Sequence, residues 1–261
     1  MLKNKAVKFL MPMFSLFLFC SFLDVNAEEE IVQKKIKVTF VGYQGTGKTY
    51  FKKALQGFSY DEIVDDVHGT VYVTKSKCII PFEEKTISPN KTLRKQLEIE
   101  IFDCTGNKKY SEHIRCDFAK NSDFIVITID PTQKADGRYD SITIQNMTEW
   151  YNALYELTLK QGHRAYFIFL GTKSDEFVYH PEDCAFTREQ FENVLNSAAN
   201  LSGGTAKYVI SQVTDDDRGG VKGVQEFKDA ITSIIRDTGI YDSLPIDPDI
   251  PIPKPSPCSI L

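Results

Sequence analysis

The stretch from Lys35 to Leu55 constrains the fold of this chain more than any other part of the sequence. It reads KIKVTFVGYQGTGKTYFKKAL. Its first part, residues 36–41, is a short apolar run that is typical of a strand buried on both faces. Next comes a loop in the spacing G-x-x-x-x-G-K-T, and a helix-prone segment follows it. This order predicts a loop that binds phosphate groups; the alternative is a plain glycine turn with a surface lysine.

The residue types in the loop explain how it would bind phosphate. Its glycines allow positive φ angles, so that backbone N–H groups can point inward at phosphate oxygens. The N-terminus of the following helix adds a partial positive charge. The ammonium group of Lys48 would contact the β- and γ-phosphates, and the hydroxyl of Thr49 would be a ligand of Mg²⁺.

Further apolar runs alternate with helical patterns along the chain. They predict strands at 123–130, 165–170 and 207–210, and helices at 141–160, 189–199 and 223–236. Residues 71–102 predict an antiparallel hairpin whose two strands flank a polar connection, EEKTISPNKTL. We therefore expect an α/β fold with a mostly parallel six-stranded sheet, one antiparallel edge strand, and helices on both faces.

Polar motifs follow several strands of this predicted sheet. The motif DCTG, residues 103–106, comes straight after one strand. Asp103 would hold Mg²⁺ through water, and the N–H of Gly106 would bond an oxygen of the γ-phosphate. A second motif, GTKSD, follows another strand at residues 171–175. Because parallel sheets bind ligands at the carboxyl ends of their strands, these motifs predict one binding edge.

Composition narrows the possible partners. The 261 residues allow one or two domains, and 42% hydrophobic residues are enough for one sizeable core. The net charge of −5 is spread over interspersed acids and bases, so we do not expect nucleic acid as the main partner. The six cysteines include no C-x-x-C pair, which argues against a zinc or haem site.

The two ends of the chain differ from the part between them. Residues 1–27 combine three lysines with an apolar block and end in a cleavage pattern before Glu28, which predicts an export signal. The alternatives are an uncleaved membrane anchor and, third, a buried core helix. A domain is expected over residues 35–240, and residues 241–261 are predicted to be a proline-rich disordered tail.

The tail ends in the sequence CSIL, which matches the C-a-a-X pattern for geranylgeranylation of Cys258; the alternative is an incidental cysteine. The export signal predicts a secreted or membrane-associated protein. Prenylation would require a eukaryotic cytosol, and an exported bacterial protein that enters a host cell would reconcile the two expectations. A membrane-anchored protein that retains its N-terminal segment is the other reconciliation.

Taken together, the motifs resemble those of the Ras superfamily of small GTP-binding proteins over residues 35–237. GYQGTGKT resembles the phosphate loop of that family, and DCTGNKKY resembles its second switch. GTKSD and KYVISQVTDDDRGGVKGVQEF resemble the guanine-binding motifs in their Rho-like form, so the Rho- and Rab-like branches are the nearest. The resemblance implies GTP or GDP and Mg²⁺ as ligands, and effector or regulator proteins of the GTPase cycle as partners.

The resemblance also implies roles in binding the base. Asp175 would accept hydrogen bonds from the N1 and N2 groups of guanine, and Lys173 would lie over the base and bond the loop backbone. Thr172 would tie the loops together. Ser211 and Gln212 would contact the O6 side of the guanine.

At the phosphate end, the resemblance implies a nucleotide-binding loop formed by Gly42, Gly45, Thr46, Gly47, Lys48, Thr49 and Tyr50. Thr70 would join Thr49 and Asp103 as a Mg²⁺ ligand. The catalytic candidates are Lys48, Gly106 and Asn107.

Two departures from the family pattern concern hydrolysis. Asn107 stands where the family has a water-positioning glutamine, and its side chain is one methylene shorter. Gln44 occupies a loop position that is usually small, where it would crowd the γ-phosphate. We therefore expect firm nucleotide binding and slow GTP hydrolysis by a switch protein. The alternatives are a binding module or decoy without turnover, and a P-loop kinase or ATPase, which the TKSD sequence disfavours.

Overall fold

A six-stranded sheet lies at the centre of the protein in the computed structural model, which describes residues 28–59, 62–63, 73–89, 91–106, 118–132, 144–160, 162, 164–184, 186–201, 206–214 and 220–244. Its strands are β1 Glu28–Val41, β2 Val73–Ser88, β3 Lys91–Cys104, β4 Phe124–Ile129, β5 Tyr166–Gly171 and β6 Ala206–Ile210. They lie in the order β2-β3-β1-β4-β5-β6. Two further strands, β7 Gln212–Thr214 and β8 Gly220–Lys222, form a small separate sheet.

The strand directions confirm the predicted fold class. β1 pairs in parallel with both β3 and β4, and β5 and β6 continue the parallel arrangement. β2 pairs with β3 in the antiparallel direction and forms one edge. All six residues of β4 are buried, as expected for an apolar strand with helices on both of its faces.

Helices cover both faces of the sheet. They are α1 Lys48–Leu55, α2 Ile144–Lys160, α3 Glu176–Tyr179, α4 Arg188–Leu201 and α5 Val224–Thr238, with 3₁₀ turns at Pro181–Asp183 and Ile240–Ser243. On one face, Phe40 packs against Phe51 of α1 and Phe227 of α5. On the opposite face, Val41 and Trp150 belong to the core that α2 and α4 complete. Successive residues of β1 therefore supply two separate cores.

The hairpin at the edge of the sheet corrects one expectation. Residues 83–93 were predicted to be a polar connection, but β2 continues to Ser88 and β3 already begins at Lys91. Charged side chains pair across this extension, with Lys95 Nζ 2.7 Å from Glu83 Oε2 and Lys91 Nζ 3.0 Å from Glu30 Oε2. Exposed ion pairs add little stability, so the continuous backbone ladder with β1 and β2 holds these polar segments as strands.

The folded domain also extends beyond the expected boundary at residue 240. Tyr241 lies in the 3₁₀ turn, is 6% exposed, and stacks on Phe82 with 4.5 Å between ring centroids. Its hydroxyl donates to the carbonyl of Val32 over 3.2 Å. The ammonium of Lys34 donates to the carbonyl of Leu244 over 2.8 Å. Residues 241–244, which the sequence assigned to the tail, thus pack on the domain.

The predicted leader and the rest of the tail lie outside the described residues. Residues 1–27 and 245–261, with Cys258, therefore remain predictions. Among the helices that the structure describes, none is both long enough and apolar enough to cross a membrane.

Replacing Tyr241 by alanine is expected to lower the free energy of unfolding by about 3 kcal/mol, because a buried, stacked ring is lost. Urea denaturation measures this change. Asp242→Ala, at the exposed neighbouring position, is the control and should shift the free energy by less than about 0.5 kcal/mol. Equal stability of the two variants would contradict the placement of residues 241–244 in the folded domain.

Candidate functional site

A cleft of about 440 Å³ opens at the carboxyl ends of the parallel strands. Loops that follow β1, β3, β5 and β6 contribute to its wall. The lining residues are Gln44, Gly45, Gly47, Lys48, Thr49, Tyr50, Phe51, Cys104, Gly106, Thr172, Lys173, Asp175, Glu176, Ser211, Gln212 and Val221. The structure thus brings four sequence motifs, far apart in the chain, to one edge of the sheet.

The glycine loop and the DCTG segment touch each other. The backbone N–H of Gln44 donates to the carbonyl of Gly106 over 3.1 Å. A Cβ atom at position 106 would lie only 2.1 Å from the Gln44 nitrogen, so any side chain there would force the two loops apart. Gly47 has a φ of 80° at the start of α1, in the left-handed region that favours glycine.

Lys48 lies at the floor of the cleft and is 5% exposed. Its ammonium donates to the carbonyls of Gly42 and Tyr43 over 2.9 and 2.6 Å. Burial lowers the pKa of Lys48 to about 8, although Asp103 acts in the opposite direction. A desolvated ammonium next to a helix N-terminus favours the binding of an anion, which would restore the solvation that burial removed.

Two of the predicted metal ligands meet beside Lys48. The hydroxyl of Thr49 donates to Oδ2 of Asp103 over 2.7 Å, and Asp103 is fully buried. Hydroxyl and carboxylate oxygens are the kind of ligand that Mg²⁺ takes, usually together with waters and phosphate oxygens, so this donor set fits the ion. Thr70, the third predicted ligand, lies outside the described residues.

Hydrogen bonds join the loops at the other end of the cleft. The Thr172 hydroxyl lies 2.7 Å from the Thr46 carbonyl and 3.0 Å from that of Ile129, and it can donate to one of them at a time. The backbone N–H of Ser174 donates to the carbonyl of Ser211 over 3.2 Å. The loop-tying contact implied for Thr172 is therefore present. Asp175, half-buried, lines the same end of the cleft.

Lys173 has a different partner from the one expected. Its ammonium lies 2.5 Å from Oδ2 of Asp130 rather than on the loop backbone. Oδ1 of the same carboxylate accepts hydrogen bonds from the N–H and the hydroxyl of Thr132. Sequence reasoning missed Asp130, although its position directly after β4 placed it at the binding edge.

Two of the residues that were predicted to bind nucleotide, Gly42 and Thr46, are not among the residues that line the cleft. Gly42 is buried and offers its carbonyl to Lys48, and the Thr46 hydroxyl donates to the carbonyl of Tyr43 over 2.9 Å. Their contacts support the shape of the loop. Asn107, a catalytic candidate, lies outside the described residues.

Several lining residues were not among the predicted site residues. Cys104 belongs to the DCTG motif, but it was not predicted to line the site. Burial raises the pKa of its thiol to about 12, so the thiol is unreactive. Glu176 follows the GTKSD motif. Val221 comes from β8, in a segment that read as a loop.

The sequence of this chain matches a known family of domains. The model of the Ras of Complex (Roc) domain of DAPkinase matches residues 37–175, which is just over half of the chain. The matched range includes the glycine loop, DCTG and GTKSD. A comparison with curated proteins found no match. The chain therefore belongs to the Roc family of Ras-like GTPase domains, which are P-loop proteins that bind guanine nucleotides.

Proposed function

We propose that this protein is a guanine-nucleotide switch that binds GTP or GDP with Mg²⁺ and hydrolyses GTP slowly. The observation that carries the proposal is the meeting of the Lys48 loop, the Thr49–Asp103 pair and the GTKSD loop in a single cleft. In this arrangement a nucleotide would have its phosphates at Lys48 and its base at Asp175. The membership in the Roc family supports the same function.

Residues of this chain would hold the phosphate end in the following way. The ammonium of Lys48 and the first N–H groups of α1 would bind the β- and γ-phosphates. Thr49, Asp103 and Thr70 would hold Mg²⁺, which neutralises phosphate charge when it is bound. The carbonyl of Gly106 accepts a hydrogen bond from the N–H of Gln44. A γ-phosphate bonded to the N–H of Gly106 would therefore affect the position of both loops.

Base selectivity would depend on the carboxylate of Asp175. Guanine presents two donors, N1–H and the N2 amino group, to a carboxylate that only accepts. Adenine presents an acceptor at N1 and a C–H at C2, so it would leave Asp175 without both of these bonds. The contacts between the loops around Thr172 and Ser174 support the carboxylate in a fixed position.

Hydrolysis would proceed by attack of water on the γ-phosphorus. A new P–O bond forms to the water oxygen while the bond to the β-phosphate oxygen breaks, which gives GDP and inorganic phosphate. Gln44 lines the cleft next to Gly106, where its side chain would crowd the γ-phosphate. Asn107 follows directly and is short for a residue that must orient water. Both features support a slow chemical step.

A second candidate function is a binding module of the same fold that holds nucleotide without turnover. The presence of Gln44 in the cleft wall favours it. Single-turnover measurements with bound GTP separate the two functions, because both bind nucleotide and only the switch releases phosphate. The assignment to a Rho-like branch rests on the TKSD form and on residues 207–227, and the family match, which ends at residue 175, does not cover residues 207–227.

Asp175→Asn is expected to weaken GDP binding by about a hundredfold, because the amide replaces an acceptor by a donor against the N1–H and N2 groups. The same variant should gain affinity for xanthosine diphosphate, whose base carries a carbonyl at C2. Titration with fluorescent nucleotides measures both affinities. The control is Glu176→Gln, since Glu176 also lines the cleft, and it should change GDP affinity less than about threefold. Equal losses of GDP affinity in the two variants would contradict the assignment of Asp175 to the guanine base.

GTP hydrolysis by the unmodified protein is expected to be slower than about 4 × 10⁻⁴ s⁻¹, the order of magnitude of Ras without an activating protein. The combined change of Gln44 to glycine and Asn107 to glutamine should raise this rate at least about tenfold, since it clears the γ-phosphate and lengthens the water-orienting amide. Single-turnover phosphate release measures the rate, with GTP affinity determined in parallel. Wild-type turnover at or above the Ras value would rule out the explanation for slow chemistry.

The location of the protein is a separate proposal: residues 1–27 direct export and are removed after Ala27. The described part of β1 already includes Glu28, which pairs with Lys91 of β3, so the sheet uses the first residue after the expected cleavage. Mass spectrometry of the native protein is expected to find Glu28 as the N-terminus and, on Cys258, a geranylgeranyl group. A native cytosolic protein that begins at Met1 would contradict export, and an unmodified Cys258 in a eukaryotic cytosol would contradict prenylation.

A further inference from the structure

A buried lysine lies next to the Thr49–Asp103 pair, one helical turn beyond Lys48. Lys52 is on α1 and is 6% exposed. Its ammonium lies 3.3 Å from Oδ2 of Asp103 and donates to the Thr74 hydroxyl over 2.6 Å. The same carboxylate oxygen accepts the hydrogen bond from Thr49. The carboxylate oxygen that accepts from Thr49, one of the predicted Mg²⁺ ligands, is therefore already in contact with a positive charge.

The surroundings explain why Lys52 and Asp103 stay together. Asp103 is fully buried, and a carboxylate in that environment is costly unless a positive charge accompanies it. Lys52 supplies that charge. An ammonium at this distance would also repel a divalent cation at the same oxygen, and it would compete for the oxygen's lone pairs.

Thr74 gives the ammonium a second acceptor. It belongs to β2 and pairs in register with Asp103 across the β2–β3 ladder, so its hydroxyl lies next to the carboxylate. The Lys52 side chain can therefore yield the carboxylate oxygen to a metal ion and keep its bond to Thr74.

We propose that Lys52 is a positioning residue that acts as the resident counter-charge of Asp103 and thereby lowers the affinity of the site for Mg²⁺. In the metal-free protein it neutralises the buried carboxylate. If Thr49 and Asp103 held Mg²⁺ together with a nucleotide, the ammonium would give up the carboxylate oxygen and keep its bond to Thr74. This proposal rests on the proposed function, because it presupposes that Asp103 and Thr49 serve a nucleotide-bound magnesium ion.

The test compares Lys52→Met with Lys53→Met, which removes the same charge from the next position of α1. One measurement is the Mg²⁺ concentration that half-maximally slows the release of a fluorescent GDP analogue. In Lys52→Met this concentration is expected to fall about tenfold or more, because the competing charge is gone. In Lys53→Met it should stay within about twofold of the wild-type value.

The second measurement is the melting temperature of each protein in EDTA without nucleotide. Lys52→Met should melt well below both the wild type and Lys53→Met, because the buried Asp103 loses its counter-charge. Addition of Mg²⁺ and GDP should restore most of the difference. A purely structural role for Lys52 would lower the melting temperature with and without Mg²⁺ and leave the Mg²⁺ dependence unchanged.

The outcomes separate this proposal from the proposed function. If wild type and Lys53→Met need Mg²⁺ to retain GDP and Lys52→Met needs the same concentration, the role of Lys52 is overturned and the magnesium site stands. If none of the proteins depends on Mg²⁺, the magnesium part of the proposed function fails, and the role of Lys52 fails with it.

A variant at an exposed position covers the case in which Lys52→Met does not fold. Thr74→Ala removes the second acceptor and leaves the ammonium on Asp103. Its half-saturating Mg²⁺ concentration is therefore expected to rise about threefold or more above the wild-type value. An unchanged or lower value would overturn the proposal.

Discussion

The contact between the Thr172 hydroxyl and the carbonyl of Thr46 joins two loops that lie 126 positions apart in the sequence. Thr172 follows β5 and Thr46 follows β1, and both are buried. A buried carbonyl without a donor would be costly, so the fold is stable with these loops only when they lie against each other. The cleft depends on that constraint, because its two ends belong to the two loops. Contacts within the chain therefore hold these two loops against each other.

The parts of the fold that could be predicted are those in which burial dictates residue type. β4 and β5 are continuous apolar runs, and each was located to within a residue or two. The extension of β2 and β3 was missed, since Glu83, Lys85 and Lys91 look like a loop when they are read alone. These residues are strand residues because they pair with a neighbouring strand, and pairing of that kind depends on register.

In the candidate site, too, some residues could be predicted from the sequence and others could not. Motifs specify local loops, so Gly47, Lys48 and Asp103 were found from their spacing. Partners that join different loops could not be found by spacing. Asp130 reaches Lys173 across 43 positions, and Lys52 reaches Thr74 across 22. Tyr241, which closes the hydrophobic core beside Phe82, was assigned to the tail because a single aromatic residue before a proline-rich segment carries no periodicity.

The charges around α1 explain why the phosphate end of the cleft favours an anion. Lys48 and Lys52 are four positions apart on one helix, so their like charges oppose helix formation. The structure separates their partners: Lys48 contacts the carbonyls of Gly42 and Tyr43, and Lys52 contacts Asp103 and Thr74. The carboxylate offsets the charge of Lys52, whereas Lys48 has carbonyl dipoles and a lowered pKa.

The helix N-terminus adds to the positive potential at Lys48. A phosphate group would give Lys48 the counter-charge that Asp103 gives to Lys52. The two lysines of this short helix therefore have different roles. Lys48 provides positive charge for a phosphate group, and Lys52 balances the negative charge of Asp103.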